Sequence, residues 1–370
     1  MNSVRGPAPA DGWIGAPLED LDTPALLLDR SASDYNLQRM AEFFRGRGCQ
    51  LRPHFKNHKC VTLARRQLDA GSAVGITCAK LGEAEVLADG GVGDVLIANQ
   101  VVGSRKMARL AELARRIDLK VAVDDIRQAE AISQAAAATG ATVGVLVEVD
   151  IGSARCGVAP GEPALELARR ILPLAGLRFD GLQAYEGHAV YVNDPAQRER
   201  LVRQAFDQAL QTRRLVEASG IEVRILSGGS SSTHQFTGTI EGVTEVQAGS
   251  YATMDWRYAE MLPDFKVALS VLARVISKRP GVAVLDVGLK GAGCEFGLPR
   301  IKDHPQAQIP SFVSEEHSIV CNAPDWKIGQ AVELLPSHAC TTCNLHRQIV
   351  VHEDRRVVDV WPIEGSGKLA

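Results

Sequence analysis

Residues 52–60 read Arg52-Pro53-His54-Phe55-Lys56-Asn57-His58-Lys59-Cys60. The apolar run 51–55 reads as a strand that ends on Lys56, with His54 and His58 flanking the lysine. A lysine at the mouth of a barrel strand, shielded from bulk water, gives up its proton more readily. It then becomes a nucleophile able to form a Schiff base with a carbonyl compound. The competing reading of the same stretch is a basic surface turn.

Outward from this stretch, apolar strand-like runs alternate with helical patterns as far as about residue 250. Strands are predicted over 51–55, 73–78, 94–98, 119–123, 142–149, 179–184, 223–227 and 243–247. Between them, helices are predicted over 61–70, 81–89, 104–115, 126–138, 162–172 and 196–218. Eight strands with intervening helices predict an α/β fold, a (β/α)8 barrel of the TIM type. A ninth run, 24–29, precedes a helical pattern over 33–47, and strand counting alone would allow it to open the barrel. After about residue 260 the pattern changes to short β-type runs at 267–277, 282–287, 317–321, 330–335, 348–351 and 357–361, which predicts a mostly β domain.

The chain has 370 residues, enough for two domains, with 45% hydrophobic and 23% charged residues. A net charge of −3 gives no electrostatic footprint for nucleic acid or an anionic membrane. No apolar run approaches membrane-spanning length. The first fifteen residues, rich in Pro, Gly and Ala, lack an apolar signal core and read as a loose arm. Eight scattered cysteines form no small-domain disulfide framework, so a reducing cytoplasm is the simplest setting.

In a parallel barrel, function gathers at the C-terminal ends of the strands. Arg155, Tyr185, the run Ser227-Gly228-Gly229-Ser230-Ser231-Ser232 and the run Gly249-Ser250-Tyr251 all follow predicted strands. Glycines let the backbone approach an anion, and hydroxyls and amides donate to its oxygens, so the Ser/Gly run suits phosphate; alone such a run is more often a flexible loop. Arg155 read alone is a surface arginine as readily as a ligand contact, and Tyr185 a core tyrosine. His338-Ala339-Cys340 offers an imidazole and a thiolate to a divalent metal. On a strand these two residues share a face, and Cys343 would point away from Cys340.

These motifs together resemble the metal-dependent pyridoxal-phosphate enzymes of fold type III, the D-threonine aldolase and D-serine dehydratase family with its alanine-racemase-like barrel. The resemblance extends over about residues 20–365. It rests on Arg52–Lys59, on the Arg155-Cys156-Gly157-Val158 segment and on Leu182-Gln183-Ala184-Tyr185. Further along it rests on Thr244–Tyr251, Met254-Asp255, Asp286–Lys290, Glu315-Glu316-His317 and Asp359-Val360-Trp361. It implies that Lys56 carries pyridoxal phosphate, with His54, Arg155, Tyr185, Ser227, Gly228, Gly229, Ser230, Gly249, Ser250 and Tyr251 around it. It also implies that His338 and Cys340 hold a divalent metal, with zinc, manganese or cobalt favoured over magnesium. It assigns residues 31–258 to the barrel, and 1–30 plus 259–370 to a β domain that carries the metal. A homodimer and a small D-amino-acid substrate follow from the same resemblance.

The reaction it implies is cleavage of a D-β-hydroxy-α-amino acid to glycine and an aldehyde. The runner-up is a D-serine or D-3-hydroxyaspartate dehydratase giving a 2-keto acid and ammonia. A racemase stands behind both. So does a non-catalytic pyridoxal-phosphate-binding protein, a single barrel without a C-terminal β domain. Two departures bear on the choice. Aldolase members often show His-x-Asp where this chain has His338 and Cys340, and they tend to carry a histidine directly after the tyrosine. Here that position is Glu186, with His188 two residues on. Either is a candidate base or, for Glu186, a structural carboxylate. His188 is preferred, because imidazole is the side chain that ordinarily titrates near neutral pH.

Overall fold

The computed structural model describes residues 12–310 and 314–370. Of the arm expected over residues 1–15, residues 1–11 lie outside the described range. The chain forms two compact units. One comprises the described residues up to Asn36 together with Ala252–Ser366; the other comprises Leu37–Tyr251 with Gly367–Ala370.

A 3-10 turn (Leu18–Asp20) precedes strand β1 (Ala25–Asp29) and helix α1 (Arg30–Phe44). The barrel unit then sets out eight parallel strands: β2 (Gln50–Leu51), β3 (Ile76–Cys78), β4 (Asp94–Ile97), β5 (Asp118–Val123), β6 (Val143–Val149), β7 (Leu177–Ala184), β8 (Ile225–Gly228) and β9 (Glu245–Val246). They lie in the order β2-β9-β8-β7-β6-β5-β4-β3. Two isolated parallel bridges, Leu51 to Ala73 and His54 to Thr77, complete the circuit from β2 to β3. Between the strands run α2 (Val61–Asp69), α3 (Leu81–Asp89), α4 (Ser104–Ala114), α5 (Ile126–Thr139), α6 (Glu162–Ile171), α7 (Pro195–Ala218) and the short α8 (His234–Thr237). Their apolar residues recur at helical spacing: α4 buries Met107, Leu110, Ala111 and Leu113. Local chemistry sets the ends. Asp125 caps α5, which stops at Gly140 in the left-handed conformation (φ 69°), and Asp194 caps α7 ahead of Pro195.

The expectation of a strand through residue 55 needs correction. The β2 ladder ends at Leu51. Arg52 and His54 still donate their amides to Val246 and Ala248, but Pro53 between them has no N–H to give. Phe55–Asn57 then turn as a 3-10 helix, with the His54 imidazole accepting the Lys56 amide at 3.4 Å. Lys56 therefore sits in a turn beyond the strand rather than on its last residue.

A belt of alternating charge runs around the starts of the barrel strands. Arg52 forks onto Glu245 (2.7 and 2.8 Å) and reaches Asp94 (2.6 Å). Lys120 bridges Asp94 (2.9 Å) and Asp118 (2.7 Å). Arg178 bridges Asp118 and Asp180, each at 2.7 Å, and Arg224 also pairs with Asp180. The two strands that bring no charge bring glycine. A Cβ at Gly75 would lie 2.7 Å from the Asp94 carbonyl, and one at Gly144 would lie 2.9 Å from the Lys120 stem.

The other unit is a mostly β structure. Its elements are α9 (Trp256–Met261), β10 (Leu269–Arg279), β11 (Val282–Leu285), β12 (Arg300–Ile301), β13 (Ser318–Cys321), β14 (Ala331–Leu335), α10 (Ala339–Leu345), β15 (Gln348–Glu353) and β16 (Arg356–Pro362). The sheet order is β12-β14-β10-β1-β15-β16, with β11 and β13 extending from β10. The run 24–29 thus supplies a strand to this sheet and none to the barrel. Leu18, Leu21, Leu27, Leu272, Val350 and Val357 pack as one core cluster here.

Candidate active site

In the turn after β2, Lys56 is exposed, whereas Lys59 is buried and ion-paired with Glu83 at 3.1 Å. The expected shielding of Lys56 from water is not met, because the turn carries it past the end of the ladder. The turn is backed by a chain of buried side chains. The Cys60 amide donates to His58 Nδ1 (3.1 Å), which leaves the proton on Nε2, 3.0 Å from the Gln67 carbonyl oxygen. The Gln67 amide in turn donates to the Tyr251 hydroxyl at 3.1 Å. Gly249 is needed for close approach, since a Cβ there would lie 2.6 Å from the His54 carbonyl oxygen.

The loops after β6 and β7 are tied together. Ser153 donates its hydroxyl proton to the Tyr185 carbonyl (2.6 Å) and accepts the Gly187 amide (2.9 Å). Tyr185 is half-buried, with the exposed Arg155 guanidinium 5.3 Å from its ring centre and 3.7 Å from Glu148. His188 is exposed, and its ring covers Gly152: a Cβ at Gly152 would come within 2.8 Å of it. Glu186 differs sharply, being fully buried with its carboxylate hydrogen-bonded to Thr233, Thr237 and the Gly229 amide.

The Ser/Gly loop after β8 is buried throughout. Ser227 accepts from the Gln247 side chain at 2.9 Å. The Ser230 amide is used internally, by Thr233 (2.9 Å). Ser231 accepts the Tyr251 amide at 3.0 Å, so its hydroxyl proton remains to be donated. Lys56, the Tyr185 ring and this hydroxyl-rich loop are a donor set that fits pyridoxal phosphate. The fit reads as amine for the carbonyl, phenol for the pyridine nitrogen, and hydroxyls and glycine for the phosphate.

In the β unit, His338 and Cys340 are not on a strand. His338 is the N-cap residue of α10, and Cys340 lies in that helix's first turn. Helix wins because the buried Asp255 carboxylate accepts the Ala339 amide (3.0 Å) while also capping α9 through Tyr258 (2.8 Å). Thr342 adds a hydroxyl bond to the His338 carbonyl at 2.8 Å. On a helix, positions three apart share a side, so Cys343 does not face away from Cys340 as a strand would have it. Neither is in a disulfide, and Cys343 is fully buried. The His338 imidazole bonds the Cys340 thiol and, through Nδ1, the Glu295 carboxylate, which also accepts from Thr341 (2.6 Å). Among the described residues no group of three or more His, Cys, Asp or Glu side chains is gathered as a metal cage. The pair fits a metal that keeps open positions, with Glu295 orienting the imidazole from behind.

Glu295, Thr233, Thr237 and Gln67 had no role in the sequence reading, Ser231 entered it only within the Ser/Gly run, and Asp255 only within a motif of the resemblance. The signals were modest: an aspartate opening a helical run at Asp255, and Thr233 with Thr237 four apart behind the Ser/Gly run.

Burial pushes His58 and His234 down to about 4. Both folded values lie below the ordinary 6.5, so the unfolded chain binds the extra proton in between, and stability falls as the pH drops from 6.5 toward 4. Carboxyls raised by burial act with the opposite sign: Glu148, Glu186 and Asp255, the last pushed up to about 6, lose stability as the pH rises. A single variant isolates one histidine. The stability gap between wild type and His234→Gln should shrink by about 2 kcal/mol between pH 7.5 and pH 5. Urea midpoints at the two pH values measure this, and an unchanged gap would mean that His234 is not held neutral.

A parallel barrel with a lysine turn after its first strand and a hydroxyl-rich loop after β8, in one chain with a mostly β unit, defines an enzyme of the alanine-racemase-like class. Residues 28–255 match the family described as "Alanine racemase, N-terminal domain", and residues 268–352 match the "Putative serine dehydratase domain". The chain is 39% identical to a D-threonine aldolase of Arthrobacter sp. over 375 residues, 98% of each chain. Its structure is similar to that of D-threonine aldolase from Filomicrobium marinum, with a TM-score of 0.94, 40% identity, and coverage of 96% of this chain and 98% of that one. D-threo-3-hydroxyaspartate dehydratase from Delftia sp. HT23 is similar at a TM-score of 0.86 and 28% identity, over 94% and 98%. The chain belongs to the D-threonine aldolase and D-serine dehydratase family, whose fold implies pyridoxal phosphate.

Proposed function

We propose that the protein is a pyridoxal-phosphate- and divalent-metal-dependent lyase that cleaves a D-β-hydroxy-α-amino acid into glycine and an aldehyde. The observation that carries this reading is near full-length identity of 39–40% to two proteins named D-threonine aldolase, against 28% to the dehydratase of known structure. Lys56 holds the cofactor, and the Ser227–Ser230 and Gly249–Tyr251 loops receive its phosphate. Bound there, pyridoxal phosphate supplies an electron sink for negative charge at the substrate Cα. Arg155 and Tyr185 orient the ring, and His188 accepts the β-hydroxyl proton. His338 and Cys340 would hold a zinc, manganese or cobalt ion, which supplies Lewis acidity to a substrate oxygen. In this reading residues 31–258 form the cofactor domain, and 1–30 with 259–370 the metal-bearing one. The protein works as a cytoplasmic homodimer; no helix of the described residues is long and apolar enough to cross a membrane.

The second reading, dehydration, is favoured by one feature of the sequence: Cys340 stands where the resemblance implies aspartate for many aldolases. Chelated and metal-reconstituted enzyme given D-threonine and D-serine separates the two. Aldehyde and glycine are expected, lost on chelation and in His338→Ala, and slowed in His188→Ala with the cofactor retained. A 2-keto acid with ammonia would move the protein to the dehydratase branch, and full activity after exhaustive chelation would remove the metal from the mechanism.

A further inference from the structure

We propose that Glu186 is a positioning residue: its carboxylate fixes the Ser/Gly loop after β8 in the shape that receives the cofactor phosphate, and it does not serve as the base. The proposal rests on the reading of that loop as the phosphate site. Glu186 follows the half-buried Tyr185 at the end of β7, yet it is fully buried. One carboxylate oxygen accepts hydroxyl protons from Thr233 (2.6 Å) and Thr237 (3.0 Å); the other accepts the Gly229 amide at 3.1 Å. The direction of the Thr233 bond is fixed by its surroundings. An ionised carboxylate can only accept, so the Thr233 proton faces Glu186 while the Thr233 oxygen accepts the Ser230 amide (2.9 Å).

A single carboxylate therefore orders three donors, and through Thr233 it sets a fourth. Gly229 has a φ of 77°, in the left-handed region, and a Cβ there would press on Val246 at 3.0 Å and Thr237 at 3.2 Å. The turn can thus close tightly over the carboxylate. With the Gly229 and Ser230 amides directed inward, Ser231 is left with its hydroxyl proton to give, held by the Tyr251 amide. A general base must reach the substrate hydroxyl, and the Glu186 oxygens are directed into the loop. The carboxylate also explains its own identity. Glutamine at this place would set an NH2 group against the Gly229 amide, donor against donor, or against the threonine hydroxyls, whose protons would then have to turn away.

The test compares pyridoxal phosphate with pyridoxal, which lacks the phosphate, by absorbance titration of the full-length apoprotein. Glu186→Gln should bind pyridoxal phosphate about 10–100-fold more weakly. Its affinity for pyridoxal should change less than about twofold, since that ligand makes no use of the loop. At saturating pyridoxal phosphate, turnover should recover and the pH profile should keep its limbs. Thr237→Val, which removes one donor and leaves the carboxylate in place, should give the same pattern at smaller amplitude, and it carries the test if Glu186→Gln does not fold. Equal pyridoxal phosphate affinity in the variants would overturn the proposal. Turnover abolished at saturating cofactor would overturn it too, making Glu186 the base. Wild type that binds pyridoxal as tightly as pyridoxal phosphate would instead overturn the phosphate reading on which the proposal stands.

Discussion

Lys56→Ala is expected to abolish covalent attachment of pyridoxal phosphate and to lower turnover by at least about 10³-fold. Two lysines lie three residues apart in the same motif, and the structure separates their circumstances. Lys56 is exposed in the 3-10 turn that follows β2. Lys59 is buried, with a φ of 55°, and its ammonium is 3.1 Å from Glu83. Glu83 also accepts the Ala79 amide at 2.8 Å and the Lys80 amide at 3.2 Å, so the Lys59 pair is part of the start of α3. Lys59→Met should therefore cost stability while leaving cofactor attachment intact. Borohydride reduction followed by fragment sequencing of the labelled peptide reads this directly. Label on Lys59 rather than Lys56 would refute the assignment.

What the sequence made legible and what it hid divide by range. The barrel helices were readable because a face such as Met107, Leu110 and Ala111 repeats at 3.6 residues whatever the rest of the chain does. The alternation of such faces with short apolar runs was enough to count eight strands. The 3-10 turn at Lys56 was less readable: Arg52 and His54 still donate to carbonyls nearly two hundred residues further on, and the turn begins where that pairing stops. The helix under His338 and Cys340 is set by Asp255, 84 residues earlier, so His-x-Cys read locally looked like a strand pair. Glu186 could be taken for a base because its burial depends on threonines 47 and 51 residues downstream. In each case the decisive partner is a polar group supplied by a distant element, which periodicity does not register.

The charge belt is the fullest instance of this long-range chemistry, and it carries the second large expected effect. Four cations and four anions alternate around it: Arg52, Lys120, Arg178 and Arg224 against Asp94, Asp118, Asp180 and Glu245. Its links are not equally buried. The Arg52 and Glu245 side chains are only 2% and 7% exposed, whereas Arg224 is 45% exposed. Arg52→Met would leave the Glu245 carboxylate buried without its fork, while Asp94 would still have Lys120. The expected cost is about 3–5 kcal/mol. For a unit of this size that is a fall of about 6–20 °C in Tm. Arg224→Ala should cost under about 1 kcal/mol, because water replaces an exposed partner and Arg178 still holds Asp180. The double variant Arg52→Met with Glu245→Leu should recover much of the single-variant loss, since removing both charges removes the uncompensated one. Denaturant midpoints for the three variants test the ordering. Equal losses for Arg52→Met and Arg224→Ala would mean that burial does not decide what a link in the belt is worth. Failure of the double variant to recover would assign the loss to packing of the Arg52 stem rather than to an orphaned charge.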